Sequence, residues 1–141
     1  MTYTDFQFST KAKTLKSLEN RLDSARIAPL YFFTVQDWNK NKPRCLDKVT
    51  SLLGLGPWVV RSSCGREDTM ESANAGAYET ILNVKLDGLE NAIKKVIESY
   101  GHAALDDEIL IQPMLLNVVR SGVAFSHDPS TCSPYGIINW G

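Results

Sequence analysis

What this sequence lacks narrows it before any motif is read. No apolar run approaches the roughly 18 residues that a bilayer span requires. The N-terminus, MTYTDFQFSTKAK, has no apolar segment of the kind a secretory signal carries. Cysteine is scarce: Cys45, Cys64 and Cys132 are odd in number and form no C-x-x-C pair. That argues against a disulfide framework or a zinc site and for a reducing cytoplasm. No basic patch is interleaved with aromatics and the pI is about 6.1, so nucleic-acid binding has no support. Internal repeats and low-complexity segments are absent as well.

What is present is ordinary in amount and uneven in placement. A length of 141 residues suits one domain with a real core, and 43% hydrophobic with 22% charged residues is a globular composition. The net charge of −1 conceals an asymmetry: residues 1–66 carry 11 Lys/Arg against 5 Asp/Glu, and residues 67–141 carry 4 against 11. Such a split suits a polyphosphate at one end and its metal ion at the other, and it equally suits plain solvation of two surfaces.

Taken in order, residues 10–22 read as an amphipathic helix with Leu15, Leu18 and Leu22 on one face and Ser9 or Thr10 as its cap. Leu30 to Val35 is a β-rich run, and Asp37 to Pro43 a polar linker. Pro43 sits in the first turn of a helix carrying Leu46, Val49, Leu52 and Leu53, which Gly54 ends. Gly54-Leu55-Gly56-Pro57 turns the chain into a central strand. Asp87-Gly88-Leu89-Glu90 has the form of a capping box. The helix it starts places Leu89, Ile93, Val96, Ile97 and Tyr100 at helical spacing and stops at Gly101. A loop from His102 to Glu108 leads to a buried strand, Ile109 to Met114, broken by Pro113. Gly122 to Ser126 and Gly136 to Trp140 are further short strands. Helices mixed with non-alternating apolar strands imply an α+β or α/β domain.

The central stretch, Trp58 to Val84, carries the most chemistry. Trp58-Val59-Val60 delivers Arg61, Ser62 and Ser63 to a strand end, and a loop of small residues with Arg66, Glu67 and Asp68 leads to a second strand, Tyr78 to Val84. A planar fork of donors, hydroxyls and glycine-exposed backbone N–H groups suits phosphate oxygens. A β-hairpin with a long polar loop fits the same residues.

Two blocks resemble the N-terminal nucleotide-binding domain of phosphoenolpyruvate synthase and pyruvate phosphate dikinase. The first is Val60-Arg61-Ser62-Ser63 with Glu67-Asp68, Ala75-Gly76, Glu79-Thr80 and Leu82-Asn83-Val84. The second is Ile111-Gln112-Pro113-Met114 followed by Ser121-Gly122-Val123-Ala124-Phe125-Ser126-His127-Asp128-Pro129. The resemblance implies a partial ATP-grasp-like α+β domain spanning 1–141, a mixed sheet with flanking helices. It also implies ATP and Mg2+ as cofactors, with phosphoryl transfer to a histidine on a separate swivelling domain. Arg61 would clamp phosphates as the catalytic group, with Lys11, Ser62, Ser63 and Gly76 on the nucleotide. Gln112 to Met114 would lie beside adenine. The family's G-G-K-G-x-N-L element is here Ser9-Thr10-Lys11-Ala12-Lys13-Thr14-Leu15, which keeps the lysine and loses the glycines. The strand-like ending at Ile137 to Trp140 reads as a fragment, with the magnesium ligands, phosphohistidine domain and acceptor-binding domain beyond it.

Other reactive residues receive plainer roles. His127 falls in a turn, and His102 follows a helix stop as a dipole partner. Cys64 reads as a small loop thiol, and Glu67 and Asp68 as partners of Arg66 or anchors of the loop. Two functions follow: the ATP-binding part of a dikinase-type phosphotransferase, incomplete alone, or a non-catalytic nucleotide-sensing or interaction module that keeps the fold.

Overall fold

Two crossovers shape the main sheet. The computed structural model describes residues 6–66 and 78–141; Glu67, Asp68, Ala75 and Gly76 lie outside the described residues. The chain runs α1 (Lys11–Leu18), β1 (Tyr31–Thr34), α2 (Val35–Lys40), α3 (Lys42–Leu53), β2 (Trp58–Ser63), β3 (Thr80–Val84), α4 (Leu89–Ser99), β4 (Glu108–Pro113), β5 (Gly122–Phe125) and β6 (Ile137–Trp140). Strands β1 to β4 form a sheet of order β1-β4-β2-β3, while β5 and β6 pair separately. All of these pairings are antiparallel, so the α+β class holds and the expected mixed sheet does not.

The reason lies in the connections. β1 and β2 both run opposite to β4, and β3 and β4 both run opposite to β2. Each parallel couple is therefore split by a strand of the other direction. The two helical crossovers travel in opposite directions across the sheet on strands of opposite sense. Right-handed connections then land both on one face. The core agrees: Cys45 and Val49 of α3 join Leu89, Ala92, Ile93 and Val96 of α4 over Phe33, Trp58, Val60, Ile109 and Ile111. Among the described residues, the other face is covered by α1 and its approach, where Ala12, Leu30 and Leu110 are buried with Leu15, Ile27 and Phe32 against them.

Several local expectations change in the folded chain. α1 stops at Leu18 rather than residue 22, leaving Leu22 39% exposed; further turns without burial are marginal in so short a helix. Thr10 caps it, accepting the Lys13 N–H at 3.3 Å. The expected linker from Asp37 to Pro43 is instead mostly helical, shared between the end of α2 and the start of α3; Thr34 and Asp37 form a capping box for α2, and Val35 and Trp38 are buried. In α3, Asn41 caps and Pro43 sits in the first turn as expected, but Leu52 is 56% exposed. Asp87 lies inside a 3-10 turn, Leu86–Gly88, so Gly88 takes the N-cap position of α4 and no side chain caps the helix. Its apolar face and its stop at Gly101, with φ +72°, stand as read. Pro113 ends β4 rather than breaking it, opposite Trp58. In the β5–β6 ribbon Gly122 is required, since a Cβ there would lie 2.4 Å from the Asn139 carbonyl oxygen.

Candidate functional site

Strand alternation decides which side chains share the thinly covered face. Trp58 and Val60 point into the helix-covered core, so Val59, Arg61 and Ser63 belong to the opposite side. On β4 the same parity selects Glu108, Leu110 and Gln112, paired with Ser63, Arg61 and Val59. Arg61 and Gln112 are thus diagonal neighbours on one face, within reach of the same small molecule. Ser62 carries the other parity and is 3% exposed, away from that face.

α1 closes one end of this face. The Ser63 hydroxyl accepts the Ala12 N–H at 2.9 Å and donates to Glu108 Oε1 at 3.1 Å. The Thr10 hydroxyl donates to the same oxygen. Lys13 Nζ lies 3.2 Å from Glu108 Oε2, a half-exposed cation on a fully buried carboxylate. From below, Tyr100 Oη accepts the Ser63 N–H at 2.9 Å and donates to the Glu108 carbonyl. Ser63 is therefore wholly buried and engaged in anchoring α1.

The anchored helix brings Lys11 to Arg61. Lys11 Nζ donates to the Ser62 carbonyl at 3.4 Å. Lys11 and Arg61 line an open concavity of about 520 Å3 with Phe8, Ser9, Thr14 and Leu15. Arg61 Nε is buried with no hydrogen-bond partner among the described residues. Trp58 Nε1 in the core and Glu108 Oε2, which meets Lys13 as an ion pair, also lack a hydrogen-bond partner among the described residues, but of the three only Arg61 lines the concavity, where an acceptor can reach it. Met114, just past β4, bonds its N–H to the Pro57 carbonyl at 2.9 Å, and its sulfur accepts the Asn83 N–H at 3.2 Å. It is thereby fixed at the end of the strand that carries Gln112.

Other singled-out residues lie elsewhere. Gly76 lies outside the described residues. Arg66 pairs with Asp107 at 2.6 Å; Glu67 and Asp68, named beside it in the sequence, lie outside the described residues. Asp107 also accepts the Ala104 N–H at 2.8 Å, so the ion pair closes a turn against the strand end. Cys64 lies just past β2, outside any strand, as a loop thiol would, but it is 2% exposed and packs into the main core. Cys45 is likewise buried, and that burial pushes its thiol up. His102 is exposed just beyond α4, and His127 meets only Ser126 Oγ at 3.1 Å among the described contacts. No three His, Cys, Asp or Glu side chains gather among the described residues, so none is assigned to magnesium. No helix among them is long and apolar enough to cross a membrane.

Glu108, Thr10, Lys13 and Tyr100 are site-building residues that sequence reasoning missed. The available signal was the acidic run Asp106-Asp107-Glu108 entering an apolar strand, where a carboxylate must find partners. The family model for the AMP/ATP-binding domain of pyruvate phosphate dikinase matches residues 43–140. None of the curated proteins and none of the solved structures matches this chain.

Proposed function

The chain belongs to the family of the AMP/ATP-binding domain of pyruvate phosphate dikinase, and from that premise we propose that it holds ATP on the thinly covered face of its sheet. Phosphates lie toward Arg61 and Lys11, and adenine toward Gln112 and Met114. The buried, unmatched Nε of Arg61, on the face that α1 leaves open, carries this reading. A phosphate oxygen supplies the acceptor that Nε lacks among the described residues, in the charge-assisted geometry Arg favours. Ser62 and Ser63 serve the site indirectly, Ser62 through its carbonyl on Lys11 and Ser63 through its hydrogen bonds to α1. In the full reaction ATP supplies a phosphoryl group to a histidine on a separate domain, with Mg2+ as its counter-ion. Arg61 then stabilises charge developing on the transferred oxygens.

A second reading has its own observation. Ala12 stands where the family's motif has glycine; its side chain is buried and its N–H is committed to Ser63. The start of α1 thus offers phosphate less open backbone than a glycine-rich loop does. That favours a module that binds nucleotide without transferring its phosphoryl group.

A magnesium–ATP titration by calorimetry, with Arg61→Ala alongside, tests the binding both share. Saturable binding that weakens about tenfold or more in the variant is expected. Unchanged affinity would remove Arg61 from the site and the reading with it. Transfer of labelled γ- or β-phosphoryl to a histidine domain separates the enzyme from the module.

A further inference from the structure

We infer that Glu108 is a positioning residue for the phosphate end of this site: through α1 it holds Lys11 beside Arg61. The inference rests on the nucleotide reading above. Glu108 opens β4 between Thr34 on one side and Ser63 on the other, and it is fully buried. A buried carboxylate is costly unless it is hydrogen-bonded and paired. Here the partners converge on one task. Two of the groups on the carboxylate, Thr10 Oγ1 and Lys13 Nζ, come from α1. The third, Ser63 Oγ, itself holds the Ala12 N–H.

α1 needs such an anchor. It has eight residues, and Ala12 is its one buried side chain. A helix so short does not hold itself in water. Glu108 binds the cap residue Thr10, and Lys11 comes next in the chain. Lys11 Nζ then rests on the carbonyl of Ser62, the residue that follows Arg61. Release of Thr10 therefore changes the distance between the two cations without touching either. Glu108 itself meets no nucleotide; it acts through the helix.

The test compares ATP and adenosine, because only ATP uses the phosphate end. In the full chain, Glu108→Ala is expected to weaken ATP binding about tenfold or more while adenosine affinity holds. Hydrogen exchange should quicken in the α1 amides and leave β2 and β4 protected. Glu108→Gln, which keeps the shape and one acceptor, should recover part of the loss. Should Glu108→Ala not fold, Thr10→Val with Lys13→Met removes two of the carboxylate's partners from the helix side. A selective loss for ATP in that double variant supports the inference. Equal losses for both ligands, no loss, or unchanged α1 exchange overturns it. A wild-type chain that binds ATP and adenosine alike would sink the phosphate reading instead. The exchange arm would still decide whether Glu108 anchors α1.

Discussion

The two faces of the four-stranded sheet differ in what their side chains are for. Among the described residues, sixteen buried side chains form one apolar cluster under α3 and α4 on the helix-covered face; on the other, three apolar residues are buried beside α1. The same strands supply both, with alternate residues assigned to stability and to the site. β2 shows the division within six residues: Trp58 and Val60 are wholly buried in the main cluster, while Arg61, on the opposite face, lines the concavity with Lys11. A face with little apolar cover cannot be where the chain gains its stability. It is free to keep polar groups whose partner is a ligand. Stability and binding should therefore be separable by mutation, one strand position apart.

The strongest way to break this division is Trp58→Ala. Trp58 is fully buried in the main cluster, and emptying so large a volume should cost about 3–5 kcal/mol in urea unfolding. The fraction that remains folded should bind ATP with unchanged affinity. A large affinity loss in that fraction would show that the covered face also shapes the site. Arg61→Ala is the mirror case, with about 1.5–3 kcal/mol lost from ATP binding and stability nearly unchanged. A clear drop in stability would mean that Arg61 has a structural partner after all.

Ala12→Gly sharpens the comparison on the open side. It restores the glycine of the family motif and should lower stability by about 1 kcal/mol, as glycine does inside a helix. Because the Ala12 N–H already donates to Ser63 Oγ at 2.9 Å, ATP affinity should stay unchanged. A gain in affinity would instead make the methyl group the obstacle and weigh against the non-catalytic reading.

How much of this was legible in the sequence follows the same division. The covered face was readable in its helices, where Leu89, Ile93 and Val96 keep helical spacing on α4; on β4 the continuous run Ile109-Leu110-Ile111 marks a buried strand without saying which residues face which side. The family was readable too, from the Arg-Ser-Ser and Gln-Pro-Met blocks. The anchoring of α1 was not. Its hydrogen bonds join Thr10, Ser63 and Glu108, residues as far as 98 positions apart, and no local pattern encodes such a link. Ser63 was singled out for its hydroxyl, but burial commits that hydroxyl to the protein itself. α2 is hidden for a different reason: the stretch from Asp37 reads as a polar linker by composition, although Thr34 and Asp37 form a capping box and Trp38 supplies the buried face.

The smallest effect is expected at Asp37, and it tests whether the covered face carries its own acid sensitivity. Asp37 Oδ2 accepts the Thr34 N–H at 3.0 Å and the Thr34 hydroxyl at 2.9 Å. The backbone bond first, then the hydroxyl, hold its carboxyl below the ordinary carboxylate value. A depressed carboxyl stabilises the fold fully above the unfolded pKa, near 3.9. That contribution disappears as pH falls through the lower folded value. Asp37→Asn should therefore destabilise at neutral pH, by less than about 1 kcal/mol because the group is largely solvated. The gap between the two proteins should close below about pH 4. Urea midpoints measured from pH 3 to 7 decide it. A constant gap across that range would place the loss in helix packing rather than in the charged cap. Since α2 packs Val35 and Trp38 into the covered cluster, ATP affinity should not follow the change at any pH where the chain is folded.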